Sequence, residues 1–316
     1  MPTPAPNPHP QDLRAVLIAG PTASGKSGVA LELALRFDGT VINADSMQIY
    51  RELEVLTARP SPSEEQLAPH LLYGAVSAAE TYSVGRWLGD VAGAIEQARA
   101  EGRLPILVGG TGLYFKALSE GLAPVPDIPA EVRKHWREQA DALGGAGLHA
   151  ILAARDPVIA AQLRPTDPHR ILRALEVIDA TGMSLSEWRG GNAQPALAAG
   201  EALKLVIAPE REPLYAGIDT RFDLMLERGA LEEVRRLLDL GLDPGLPAMR
   251  AHGVRELGAY LAGVASLDQA VAKAKTETRR YAKRQMTWAR RYMADWEWFP
   301  DPDAAMAAGV AMLAKR

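Results

Sequence analysis

The plainest chemistry in the chain lies in the stretch Gly20, Pro21, Thr22, Ala23, Ser24, Gly25, Lys26 and Ser27, which spells G-x-x-x-x-G-K-S/T. Its glycines let backbone N–H groups wrap phosphate oxygens, the Lys26 ammonium reaches the terminal phosphates, and the Ser27 hydroxyl suits Mg2+. An apolar run precedes the loop at Ala15–Ala19 and a helical pattern follows it, so a helix N-terminus adds its positive dipole end. The chemistry implied is retention of a di- or triphosphate.

A carboxylate follows where such a site needs one. Val41-Ile42-Asn43-Ala44-Asp45 is an apolar strand ending in an acid, and the mixed polar and aromatic run Ser46-Met47-Gln48-Ile49-Tyr50 continues from it. Ligands of open α/β sheets collect at the carboxyl ends of strands. Asp45, the phosphate loop and Thr111, which follows Gly109-Gly110, are therefore expected in one cleft. Three readings of Asp45 compete: a helix N-cap, a metal-shell carboxylate of a kinase or ATPase, and a general base facing a nucleophile across bound phosphates.

The elements that must position these groups alternate between strand and helix. Short apolar runs predict strands at 15–19, 40–43 and 105–108, with a weaker one at 70–73, and helical periodicity covers 24–36 and 83–100. That alternation argues for a parallel α/β sheet. From 127 to 182 the signal is helical throughout, interrupted at Gly144-Gly145 and Asp156-Pro157, and reads as an insertion. A lone strand at 203–208 is expected to complete the sheet, followed by helices at 219–229, 230–240 and 267–293. Trp136 and Trp188 are expected in the core of the inserted lobe.

Composition narrows the class. With 47% hydrophobic and 23% charged residues, the chain of 316 residues is too apolar for a disordered protein. A formal net charge of −4 excludes a uniformly basic nucleic-acid coat, and the lack of any cysteine excludes a disulfide scaffold, a Cys-ligated zinc site and a thiol nucleophile. No apolar run approaches the roughly 18 residues needed to cross a bilayer, so a cytoplasmic protein without membrane contact is expected. Charge is nonetheless uneven. Between 271 and 293, Lys273, Lys275, Arg279, Arg280, Lys283, Arg284, Arg290 and Arg291 face a single acid, Glu277, with Tyr281, Trp288 and Tyr292 interleaved. Phosphate contact explains that asymmetry better than a solvated face, although Trp288 itself reads as a core residue. Arg170 and Arg173 share a helix face suited to adjacent phosphates, or Arg173 pairs with Glu176. His135, His149 and His252 share no metal-ligand spacing.

Taken in series, Gly20 to Ser27, Asp45-Ser46-x-x-Ile49-Tyr50, Val108-Gly109-Gly110-Thr111-x-Leu113-Tyr114 and Lys283-Arg284-Gln285-x-Thr287-Trp288 resemble the tRNA dimethylallyltransferase family (tRNA isopentenyltransferases). The resemblance runs from about residue 15 to 299. It implies transfer of a dimethylallyl group from dimethylallyl diphosphate to N6 of adenosine-37 in tRNAs that read codons beginning with U. By the same resemblance the phosphate loop, residues 20–27, binds the prenyl diphosphate with Mg2+ beside Ser27. Asp45 matches the general base, Asp45-Ser46-Met47-Gln48 the adenosine-contacting segment, Thr111 a tRNA-contacting catalytic threonine and Arg221 the arginine that reaches the diphosphate. His169, Arg170, Ile171, Leu172 and Arg173, together with Arg133, Arg250, Arg255, Lys283, Arg284 and Gln285, match segments that contact the anticodon stem-loop.

The implied organisation is a disordered proline-rich tail at 1–13, a P-loop NTPase-like parallel-sheet core at 14–120 and 200–316 with C-terminal helices, and a tRNA-gripping helical insertion at 121–199. A monomer is expected. One departure stands out, since Gly253-Val254-Arg255 replaces the family's usual Gly-Tyr-Arg and could remove a stacking aromatic. The alternatives are a nucleotide or small-molecule kinase and an isopentenyltransferase acting on free adenine nucleotides.

Overall fold

The computed structural model describes residues 13–189, 194–198 and 200–315. The proline-rich tail up to residue 12 lies outside the described residues. Leu13, the last residue of that expected tail, is instead buried at 1% exposure beneath the sheet.

Six strands form one parallel sheet: β1 Ala15–Ala19, β2 Gly39–Asn43, β3 His70–Leu71, β4 Leu104–Gly109, β5 Ala202–Ile207 and β6 Glu297–Phe299, in the order β3-β2-β4-β1-β5-β6. β1 sits inside the sheet and is wholly buried, which its unbroken apolar run demands. Its residues serve two cores in turn. Ala15, Leu17 and Ala19 pack into one face, Val16 and Ile18 into the other. After β1 the chain builds one half of the sheet through β2, β3 and β4, then returns to β1's other side with β5. The strand order thus reverses beside β1, the place where α/β folds open a crevice.

The helices are α1 Lys26–Arg36, α2 Pro62–Leu67, α3 Val84–Ala100, α4 Gly112–Glu120, α5 Ala130–Arg155, α6 Pro157–Ala160, α7 Pro168–Thr181, α8 Leu185–Arg189, α9 Arg211–Glu227, α10 Ala230–Asp239, α11 Val254–Leu261, α12 Leu267–Tyr292 and α13 Pro302–Leu313. Two expectations need correction. The strand near 203–208 does not finish the sheet, because the three-residue β6 adds to its outer edge. The helix expected at 219–229 starts at Arg211, because Pro213 falls in its first turn, where a missing N–H costs nothing.

The chain divides into two compact units, Met1–Ser119 with Ala196–Arg316, and Glu120–Pro195. The second is helical, with Gly144 at φ +63° breaking α5. Its core joins Trp136, Leu148, Leu152, Ile159, Ile171 and Leu175. Trp136 donates to Asp179 Oδ2 at 2.7 Å, and Arg155 binds the other oxygen of that carboxylate. His149 Nε2 sits 3.0 Å from the carbonyls of Ala160 and Leu163, a packing role.

Candidate active site

The phosphate loop springs from the carboxyl end of β1 and ends at the N-terminus of α1. Two of its glycines are sterically required. A Cβ at Gly20 would lie 2.6 Å from Ser24 Oγ and 2.8 Å from the Ile207 carbonyl. Gly25 holds φ at +80°, and a Cβ there would strike Pro302 of α13 at 2.4 Å. Lys26 Nζ donates to the Pro21 carbonyl at 3.1 Å. Burial pulls the Lys26 ammonium down to about 8, with Asp45 opposing and Arg221 reinforcing that shift. Arg221, from α9, donates to Thr22 Oγ1, and burial lowers its pKa as well. A cationic pair therefore faces the loop with its charge poorly solvated, the electrostatic state of a site built to receive an anion.

At the carboxyl end of β2, Asn43 is fully buried and organises the turn. Its Oδ1 accepts the Asp45 N–H at 2.7 Å, while Nδ2 donates to the carbonyls of Asp45 at 3.0 Å and Leu72 at 2.9 Å. Asp45 Oδ1 then accepts the Met47 N–H at 2.9 Å. This is an Asx turn, and no helix begins there, so the helix-cap reading of Asp45 falls away. The end of β4 comes alongside. Gly109 admits Ala44, whose carbonyl oxygen would lie 2.0 Å from any Cβ at 109, and Thr111 Oγ1 accepts the Ser46 N–H at 3.0 Å.

A cleft of about 340 Å³ opens over these strand ends, at the small end of the roughly 300–1,000 Å³ range of small-molecule sites. Thr22, Asp45, Ser46 and Arg221 supply its polar wall, and Arg250, His252, Tyr281 and Arg284 also line it. Ile218, Arg221, Phe222 and Met225 reach it from α9 at i, i+3, i+4 and i+7, so one helix stripe carries both a cation and an apolar surface. Met47 and Leu56 extend that apolar surface. His252 stacks on Tyr281 with ring centroids 4.6 Å apart, and burial and then Arg284 lower its pKa against the opposing Glu256, Glu277 and Asp45.

Sequence reasoning overlooked the residue that holds the wall at Leu56. Glu233, from α10, is 3% exposed and accepts the backbone N–H groups of Glu54, Val55 and Leu56 at 2.8, 2.7 and 2.9 Å. Nothing local in the sequence distinguishes it from its neighbour Glu232.

The structure gathers Thr22, Asp45, Ser46, Met47, Arg221, Arg250 and Arg284 around one cleft, but four expected contacts turn elsewhere. Gln48 donates Nε2 to the carbonyls of Thr57 at 3.0 Å and Ala58 at 2.9 Å, so it braces its own loop. Gln285 has both ends of its carboxamide engaged within the protein. Ile171 is completely buried in the helical unit and offers no side chain to RNA, and the half-buried Leu172 turns most of its side chain to the same core. In that unit His169 is exposed, Arg133 half-buried, Arg170 is 3.4 Å from Asp167 and Arg173 is 3.9 Å from Glu176. Arg255 of α11 and Lys283 of α12 are exposed. Of the basic run on α12, Lys275 pairs with Asp223, Arg279 with Asp219 and Arg280 with Glu277. Among the described residues Lys273, Lys283, Arg284, Arg290 and Arg291 have no acidic partner within 4.0 Å. Trp288 packs as a core residue against Gly112. Val254 is buried at 2% exposure as α11 begins, packed in the core and not among the residues that line the cleft.

Comparison with known proteins bears on the whole chain. The IPP transferase family profile matches residues 48–292, and the isopentenyl transferase profile matches residues 13–71. A tRNA dimethylallyltransferase of Azorhizobium caulinodans is 55% identical over 282 residues, covering 89% of this chain and 90% of its own. Another, from a Bradyrhizobium species, is 53% identical over 294 residues, 93% of this chain and 95% of its own. Among solved structures, the full-length tRNA isopentenylpyrophosphate transferase of Bacillus halodurans aligns over 96% of both chains with a TM-score of 0.68 and 33% identity. A eukaryotic dimethylallyltransferase acting on tRNA aligns over 96% of this chain and 77% of its own, with a TM-score of 0.80 and 28% identity.

Proposed function

The chain belongs to the IPP transferase family, and from that premise we propose how its cleft carries out dimethylallyl transfer to adenosine-37 of tRNA. Relatives more than half identical across some nine-tenths of the chain favour this activity over a kinase or an enzyme of free adenine nucleotides. The product is N6-dimethylallyladenosine in tRNAs that read codons beginning with U.

The diphosphate lies on residues 20–27, with Lys26 and Arg221 as its cations; Arg221 exchanges its bond to Thr22 for one to the leaving group. As the allylic C–O bond breaks, negative charge grows on that diphosphate, where fixed donors in a desolvated site stabilise it most. The adenine N6 attacks the freed allylic carbon. Its lone pair is delocalised into the ring, so the amine needs a base. Asp45 accepts the N6 proton as the N–C bond forms, a contribution of roughly 10²–10⁴-fold for a positioned carboxylate. Its Asx turn leaves Oδ2 available while Oδ1 holds the Met47 N–H. Thr111 keeps Ser46, and with it the Asp45 turn, at the end of β4.

Mg2+ fits this site by way of the exposed Ser27 hydroxyl, the diphosphate oxygens and water. The described residues hold no cluster of three or more acidic, imidazole or thiol ligands, and Mg2+ characteristically uses few protein ligands beside phosphates. Bound there, the ion neutralises charge on the leaving group.

The anticodon stem-loop is held by Arg250, Arg255, Lys283 and Arg284 and, from the helical unit, by Arg133, His169, Arg170 and Arg173. Adenosine-37 must leave its stack to enter the cleft, which costs a few kcal/mol. No described helix is long and apolar enough to cross a membrane, and we assign the reaction to the cytoplasm. We propose that the protein acts as a monomer.

The observation that carries this reading is the convergence of Arg221 on Thr22, Asp45 and the Thr111–Ser46 bond at the carboxyl ends of three adjacent strands. Its test is mass spectrometry of tRNA after incubation with dimethylallyl diphosphate and Mg2+. One added dimethylallyl group on adenosine-37 is expected; labelled phosphate transferred from ATP to an acceptor would favour a kinase instead.

A further inference from the structure

Helix α12 turns Tyr281, Gln285 and Trp288, at i, i+4 and i+7, toward two glycine-rich loops. Gln285 Oε1 accepts the Thr22 N–H of the phosphate loop at 2.9 Å, and its Nε2 donates to the Gly110 carbonyl at 2.9 Å. The opposite amide orientation would set donor against donor and carbonyl against carbonyl, so these partners fix it. The fit is close. A Cβ at Gly110 would lie 2.1 Å from Gln285 Nε2, and one at Gly112 would lie 2.1 Å from the Trp288 ring.

What the two bonds join matters more than their strength. β1 and β4 are in register up to the pair Ala19 and Gly109, after which both chains leave the sheet. The sheet therefore stops setting their separation just where the chemistry begins. Gln285 spans the loops one residue past Gly109 on one side and three past Ala19 on the other. Thr22 also takes Arg221 through its hydroxyl, on the diphosphate side. Gly110 precedes Thr111, whose hydroxyl holds the Ser46 N–H next to Asp45, on the base side.

We propose that Gln285 is a positioning residue for the transfer: a strut that holds the diphosphate loop and the loop of Thr111 and Asp45 at the separation in-line attack requires. The proposal rests on the functional reading above and replaces a direct tRNA contact by Gln285. A misplacement of about 1 Å can cost roughly 10²-fold in rate, whereas ground-state binding to either loop alone depends little on their spacing.

Three variants separate the possibilities. Gln285→Met keeps the length and loses both bonds. Gln285→Asn keeps the chemistry one methylene short. Gln285→Glu keeps an acceptor for Thr22 and brings a carboxylate against the Gly110 carbonyl. Single-turnover prenylation at saturating substrates is expected to fall about 10- to 100-fold in all three. Dissociation constants for dimethylallyl diphosphate and tRNA should stay within about threefold, and the salt slope of tRNA binding should not change. Hydrogen exchange of the Thr22 amide, which needs no activity, should accelerate in Gln285→Met and stay slow in Gln285→Glu. A wild-type rate in Gln285→Met despite faster Thr22 exchange would overturn the proposal. So would tRNA binding weakened about tenfold or more in Gln285→Met with the rate at saturating tRNA unchanged, which marks a direct RNA contact. Failure of the wild-type protein to prenylate tRNA would instead overturn the functional reading, before any variant is compared.

Discussion

The strand-end cleft and the basic face of α12 solve different problems. In the cleft three parts of the wall are tied to partners far away in sequence: Thr22 to Gln285, Ser46 to Thr111, and the Leu56 segment to Glu233. On α12, Lys283, Arg290 and Arg291 are exposed and have no acidic partner within 4.0 Å among the described residues. Bond making needs groups fixed to a fraction of an ångström, whereas holding a polyanion needs charge that is free to adapt. Geometry is conserved energy in one region and unspent charge is the asset of the other.

The sharpest break in that comparison is expected at Asp45. Asp45→Asn keeps the shape and the acceptor for Met47 but removes the base, so turnover should fall roughly 10²–10⁴-fold while tRNA binding stays within a few-fold. A metal-ligand role would show as partial rescue by excess Mg2+. Lys26→Ala should cost somewhat less, about 10²–10³-fold in rate, together with weaker binding of dimethylallyl diphosphate in equilibrium titrations. On the other side, Lys283→Ala with Arg290→Ala should flatten the salt dependence of tRNA binding by about one unit per lost phosphate contact. Prenyl diphosphate affinity should hardly move.

How much of this was legible depended on how far apart the partners lie. The phosphate loop, Asp45 and Thr111 are readable because strand, turn and polar side chain are contiguous in sequence. The pairing of Arg173 with Glu176 was readable for the same reason, a spacing of i and i+3. Glu233 was not, because its three partners are backbone N–H groups 177 to 179 positions away. β6 has too few residues to show a period and is a strand because β5 leaves an open edge. α13, rich in alanine and capped by Asp301, was overlooked although its Pro302 packs on Gly25. The resemblance groups Gln285 with Lys283 and Arg284 as RNA contacts, yet a helix gives successive residues different faces, and Gln285 bonds Thr22 and Gly110 instead.

Two smaller effects sharpen the contrast further. In the proposed reaction Lys26 holds the diphosphate as an ammonium, and burial lowers its pKa to about 8. Affinity for dimethylallyl diphosphate should therefore be level below pH 8 and fall by up to about tenfold per unit above it, with proton uptake on binding near pH 8 measurable by calorimetry in buffers of different ionisation enthalpy. Smallest of all, Asp167→Asn frees Arg170 from an exposed pair worth no more than about 1 kcal/mol, so thermal stability should scarcely change.

The division of labour itself is tested most directly by combining the two kinds of change. Single-turnover rate at saturating tRNA and the tRNA dissociation constant would be measured for Asp45→Asn, for Lys283→Ala with Arg290→Ala, and for the three together. The account predicts that the triple variant has the rate of Asp45→Asn and the affinity of the double variant, the two losses being independent. A drop in the saturated rate of the Lys283 and Arg290 variant as large as that of Asp45→Asn, or a tRNA affinity in Asp45→Asn as poor as theirs, would contradict it.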